Sequence, residues 1–192
     1  MTLTAQNNII IGFKILIFSE VMAFFTCFWA LTHFGLVPSI FILINFPPLS
    51  ITALFPFSLP WVNVLTLIYS SMPLQAAQIW LKKGANSRTL DCLSQTLYSS
   101  GVFLYLQLIE YSAGLFTISD SMFGSTFYST TGLHGLHVCT GAIAFTIMYF
   151  IIGRIVYKDL NNSFKLWAWY WHMVDFIWIL VLSHFYLWAY TW

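Results

Sequence analysis

Of the chain's 192 residues, 59% are apolar, 20% aromatic and only 7% charged, whereas a soluble globular domain carries about 25% charged residues. That excludes a folded surface bathed in water, and a net charge of +1 leaves no electrostatic footprint for nucleic acid. The composition fits an all-α class, a polytopic membrane helix bundle that forms a single transmembrane domain over residues 1–192.

Crossing about 30 Å of hydrocarbon takes about 20 helical residues. Five stretches meet that length, at approximately 12–35, 61–81, 92–112, 126–152 and 166–190. The first carries Glu20 between Ile15-Leu-Ile-Phe-Ser19 and Val21-Met-Ala-Phe-Phe25. An ionisable side chain inside a membrane span is a functional-site hypothesis by default. Here it reads either as a proton-exchanging carboxylate or as a neutral acid bonded to a neighbouring helix. His33 sits near the end of this span. The segment 36–60 then holds five of the six prolines and cannot be helical throughout. Its Phe, Leu and Ile content places it along the bundle or membrane surface.

The second stretch contains Asn63, Ser70, Ser71, Pro73, Gln75 and Gln78, and the third contains Gln95, Ser99, Ser100, Gln107 and Glu110. Lipid satisfies none of these groups, so both stretches read as spanning helices whose polar side chains face other helices. Pro73 is expected to kink its helix. Glu110, Tyr111 and Asp120 flank the 113–125 loop and are positioned to fix its conformation. In the fourth stretch, His134 and His137 lie three apart and share a helix face. This spacing suits a metal pair or bonds to neighbouring helices and lipid headgroups. Gly132, Gly135 and Gly141 on the same helix allow close approach of a helix or lipid. In the fifth stretch, His172 and Asp175 are again three apart, and the Asp can orient the His. His184 lies near the end of that span. Cys27, Cys92 and Cys139 are odd in number and read as packing residues rather than a disulfide framework.

All seven cations fall on one side of a five-span chain: Lys14, Lys82, Lys83, Arg88, Arg154, Lys158 and Lys165. The opposite loops, 36–60 and 113–125, contain no Lys or Arg. This positive-inside pattern places the N-terminus in cytoplasm or matrix and the C-terminus on the other side.

Four runs, in order, carry a resemblance. They are Ser19-Glu-Val-Met-Ala-Phe-Phe25 with Phe28-Trp-Ala30 and His33; Glu110-Tyr111 with Phe116-Thr-Ile-Ser-Asp120 and Gly124-Ser-Thr-Phe127; Thr131-Gly-Leu-His-Gly-Leu-His-Val138; and Trp169-Tyr-Trp-His-Met-Val-Asp175. Together they resemble subunit III of cytochrome c oxidase, the haem–copper oxygen reductase of respiration. The resemblance implies a non-redox core subunit of complex IV. Haem a and copper would belong to partner subunits, and this chain would bind no metal and carry no catalytic residue itself. It would pack on subunit I beside other complex IV subunits. It would hold phospholipid (cardiolipin, phosphatidylglycerol or phosphatidylethanolamine) and support proton uptake. Glu20 would be the family's membrane-embedded carboxylate. His134, His137, His172 and Asp175, with Glu110, would form a buried polar network. Arg154, Lys158 and His137 are candidates for a lipid headgroup.

Two departures stand out against the resemblance. The family has seven spans and the Glu20 helix is its third, so the first two are expected to be missing here. Either a separate polypeptide supplies them or the lipid site is rebuilt. The family's fourth span carries a His pair, whereas this chain reads Pro73-Leu-Gln-Ala-Ala-Gln78 there. A hydrophobic chain without a presequence suits synthesis inside an organelle. The expected location is the mitochondrial inner membrane, with the N-terminus in the matrix and the C-terminus in the intermembrane space; a bacterial plasma membrane is the alternative. Two other function classes stand beside this one. One is a membrane redox protein with haem between His134 or His137 and His172 or His184. The other is a small transporter using Glu20 as its proton site.

Overall fold

The computed structural model describes residues 3–37, 55–154 and 160–191. Five long helices account for nearly all of them, and no strand forms among the described residues. They are α1 (Leu3–Leu36), α2 (Leu59–Lys82), α3 (Asn86–Ala113), α4 (Met122–Arg154) and α5 (Leu160–Val181). A π-helical turn, Leu182–Trp188, continues α5, and a last short turn, α6, covers Ala189–Thr191. Each of α1 to α4 overlies one apolar stretch and extends beyond it at both ends, and α5 does so for the fifth only together with its continuation to Thr191. By length and composition α1, α4 and the α5 rod are apolar enough to cross a membrane. At 1.5 Å per residue, the 24 residues of α2 and 28 of α3 are also long enough, at about 36 and 42 Å. Their buried Asn, Ser, Thr and Gln side chains lower their hydropathy instead.

The bundle has a closed part and an outlying helix. α2 pairs with α3, α3 with α4, α4 with α5, and α5 with α2, so these four enclose a common interior. The first helix leans on α4 and α5 from outside. The interior is aromatic, with Phe103, Phe127, Phe145, Phe164, Trp171 and Trp178 fully buried. Exposed Ile15, Phe18, Phe25 and Trp29 give α1 an apolar outer face. In water such a surface would aggregate; in hydrocarbon it needs no partner.

Local chemistry sets the helix ends. Pro60 enters α2 in its first turn, where its missing N–H costs nothing. α2 runs on through Pro73. It ends at Lys82, and the chain turns at Gly84, whose φ of 74° favours a residue without Cβ. The Gly84 N–H donates to the Leu81 carbonyl (3.1 Å) and the Ala85 N–H to the Trp80 carbonyl (3.0 Å). This Schellman closure reverses the chain into α3. At the opposite end, the Thr117 N–H donates to Asp120 Oδ2 (2.6 Å) and the Tyr128 hydroxyl to the Phe116 carbonyl (2.7 Å). These bonds hold the loop into α4.

Most of the proline-rich segment lies outside the described residues, at 38–54, and so does Lys158. The six described cations gather at one end of the bundle. Lys14 and Lys165 flank the Trp169 ring at 5.7 and 5.0 Å. Lys83 and Arg88 flank Trp80 at 4.9 and 4.4 Å. Arg154 follows Gly153, where an added Cβ would lie 3.9 Å from Leu90 near the start of α3. The three cysteines are free and partly buried.

Candidate functional site

Glu20, carried by the outlying helix α1, turns toward α4. Its Oε2 lies 2.9 Å from His137 Nε2. The Glu20 side chain is 35% exposed and that of His137 9%. The other ring nitrogen of His137, Nδ1, faces the Leu133 carbonyl at 2.7 Å. A carbonyl only accepts, so Nδ1 carries hydrogen. Nε2 and Glu20 then have one further proton to share. It sits either on the ring, as an imidazolium–carboxylate pair, or on the carboxyl, which then donates to a neutral ring. Both states use the same heavy-atom geometry. The Tyr170 ring stacks near His137 (6.1 Å between centroids) and its hydroxyl donates to the His137 carbonyl at 3.4 Å.

The pair opens onto a groove of about 510 Å³ between α1, α4 and α5, lined by Phe13, Leu16, Leu136, Thr140, Trp167 and Tyr170. Past Thr140 and Trp167, an apolar groove of about 380 Å³ continues along α4 and α5 to Ile151 and Leu160. The double groove thus runs from the Glu20–His137 contact toward the cation-bearing end. A polar carboxyl–imidazole pair at one end and a wall of apolar side chains along the rest suit an amphiphile.

Comparison with known proteins decides the family. The cytochrome c oxidase subunit III profile matches residues 1–190. Cytochrome c oxidase subunit 3 of Allomyces macrogynus is 36% identical over 98% of this chain and 69% of its own length. The subunit of Pelomedusa subrufa is 36% identical over 98% and 72%, and that of Arabidopsis thaliana 37% over 98% and 71%. The chain belongs to the cytochrome c oxidase subunit III family.

In this member of the subunit III family, the residues singled out from sequence fall into separate contacts. His134 is fully buried, and its Nε2 lies 3.1 Å from the Val174 carbonyl of α5, which makes that nitrogen the donor. Asp175 has its closest partner in Ser71 of α2, whose hydroxyl donates at 2.5 Å. His172 stands farther off, with Nδ1 3.9 Å from Asp175 and 3.4 Å from the Ser71 hydroxyl. The spacing of His172 and Asp175 pointed to a His–Asp contact but not to the serine that comes between them. Next to it, Trp171 Nε1 donates to Ser70 Oγ (2.9 Å). Glu110 lies apart from these groups, buried beside Tyr186. His184 packs on Phe28 (5.1 Å) with Nδ1 3.0 Å from the Leu180 carbonyl. The histidines weighed as a haem pair thus each engage a different neighbour. Among the described residues, no group of three or more His, Cys, Asp or Glu is placed to hold a metal ion.

Sequence reading singled out neither Tyr186 nor Trp178, because an aromatic in an aromatic stretch gives no signal of its polar end. The glycines divide as well. At Gly141 a Cβ would stand 2.7 Å from Trp171, so this residue is what lets α4 and α5 meet. Nothing lies within 4 Å of such an atom at Gly132 or Gly135.

Proposed function

We propose that this chain serves as a non-redox core membrane subunit of cytochrome c oxidase, supporting electron transfer from cytochrome c to oxygen and the coupled proton pumping. It does so by packing on subunit I, binding phospholipid and stabilising proton uptake. Haem a and copper sit in its partner subunits in this reading. The observation that carries the proposal is the Glu20–His137 contact, one shared proton at the head of an amphiphile-shaped groove. Proton transfer within the contact needs no movement of either helix, which is what a relay or local proton buffer requires.

Support for lipid binding comes from the same groove, whose far end approaches the cations. Arg154, at the α4 terminus, and Lys158 are the proposed phosphate partners, with His137 at the inner end. Five membrane-crossing helices, with the cation-bearing end in the matrix and the C-terminus in the intermembrane space, account for the distribution of charge. The mitochondrial inner membrane is the proposed location.

Replacing the carboxyl while keeping its shape tests the reading. Glu20→Gln is expected to leave the complex assembled and to reduce proton uptake or shorten the turnover lifetime of oxidase in proteoliposomes. Wild-type proton uptake and lifetime in an assembled Glu20→Gln complex would contradict it. Loss of assembly would make Glu20 a structural residue instead.

A further inference from the structure

Toward the cation-free end, the four closed helices surround polar side chains that the protein itself does not satisfy. Asn63 comes from α2, Gln107 and Glu110 from α3, Trp178 from α5 and Tyr186 from the π-helical turn. Every one is at least nine-tenths buried, Gln107 being the most exposed at 5%. Asn63 Nδ2 donates to Gln107 Oε1 at 3.4 Å. Glu110 lies one turn on from Gln107, on the same face of α3. The Tyr186 hydroxyl lies close enough to both to interact with them, but outside the distance and angle of a hydrogen bond. The Trp178 ring lies next to that of Tyr186, with 6.4 Å between centroids, and packs on His134 at 4.8 Å. Even so, Asn63 Oδ1, Gln107 Nε2, both Glu110 oxygens, Trp178 Nε1 and Tyr186 Oη have no hydrogen-bond partner in the protein.

A spanning bundle has no bulk water nearby to relieve such groups, and each unmatched one is costly. The chemistry of the set identifies what relieves them. Gln107 Nε2 and Trp178 Nε1 only donate, and Asn63 Oδ1 only accepts. Exchanging O and N in both amides together still leaves one donor and one acceptor. A metal cation would leave the donors unmatched, and an anion would oppose the acceptors and the Glu110 carboxyl. Water donates and accepts, and buried sites of this kind usually give it two to four partners.

We propose that Asn63, Gln107, Glu110, Trp178 and Tyr186 line an internal water-binding chamber, separate from the Glu20–His137 groove. The π-helical turn Leu182–Trp188 is part of its construction. It widens the helix where Tyr186 enters the interior, and π turns of this kind recur at functional sites. This inference does not depend on the proposed role of Glu20.

Radiolytic hydroxyl-radical labelling of the intact, lipid-containing assembly tests it, because radicals formed from bound water mark the side chains beside that water. The internal reference is Trp171, which is fully buried with its indole N–H already bonded to Ser70. Tyr186 and Trp178 are expected to be labelled several-fold faster than Trp171. Rates no faster than that of Trp171 would overturn the proposal. A high-resolution map of the same assembly supplies the second readout. Density at about 2.7–3.2 Å from Glu110 and from at least one of the lining donors is expected. A chamber closed by direct Glu110–Tyr186 and Gln107–Tyr186 bonds, or density contacting only oxygens as a cation would, overturns it.

Discussion

Glu20 and His137 come from helices that share a short interface, and they meet because each is one of few polar groups on its face. Replacing one partner tests how the contact is built. Removing the ring in His137→Ala strands a carboxyl that hydrocarbon cannot solvate, whereas Glu20→Gln keeps a polar group of the same shape. The expected order of damage is therefore His137→Ala above Glu20→Gln, read as the yield of assembled subunit. At Asp175, Ser71→Ala removes the closest donor from a buried acid. Its expected cost is about 1–3 kcal/mol, read as a lower unfolding temperature of the chain in the purified complex. His172→Ala, which removes the more distant neighbour, is expected to cost less. The sequence made Glu20, His134, His137, His172 and Asp175 conspicuous because charge is so rare in it. Which of them meet was not legible, since Glu20 and His137 are 117 positions apart and Ser71 looks like any serine in a polar helix.

Helix positions were the most readable level, because a bilayer forces long uninterrupted apolar runs and the turns between them carry their own signals. The Gly84 turn carries such a signal, a glycine at a φ of 74°, although it was not singled out from the sequence. Close approach was legible only in part. Gly132, Gly135 and Gly141 share one composition signal, but of these three Gly141 alone faces another described helix at contact distance. Gly141→Val is expected to force α4 and α5 apart against the Trp171 ring. That overpacking costs about 1–3 kcal/mol or more and should lower the amount of assembled subunit. Gly135→Ala, with open space at its Cβ position, should leave that amount unchanged unless a neighbouring subunit fills the space. Western blotting of native membranes compares the two directly. The polar character of α2 and α3, which weakens them as spans by hydropathy alone, is explained in part by side chains turned toward the interior, Asn63, Ser70, Thr96 and Gln107 among them, whereas Gln75 and Gln95, expected to face other helices, are exposed on this chain.

Over the whole molecule, charge and packing point the same way. Six described cations collect at one end although they come from five helices and a turn, and the four-helix interior leaves α1 as a flank. In the proposed topology, single cysteines placed in the Lys82–Arg88 turn and in the 114–121 loop should react with a membrane-impermeant thiol reagent from opposite sides of the membrane. Reaction of both from the same side would contradict the five-span arrangement. Membership of the cytochrome c oxidase subunit III family rests on a match along nearly the whole chain, and its consequence is an assembly rather than an isolated activity. The most direct test is native gel electrophoresis of mildly solubilised membranes, with this chain located by mass spectrometry and the gel stained for cytochrome c oxidation. The account predicts that the chain migrates in an active band that contains haem a and subunit I. Migration in a band without that activity would contradict it.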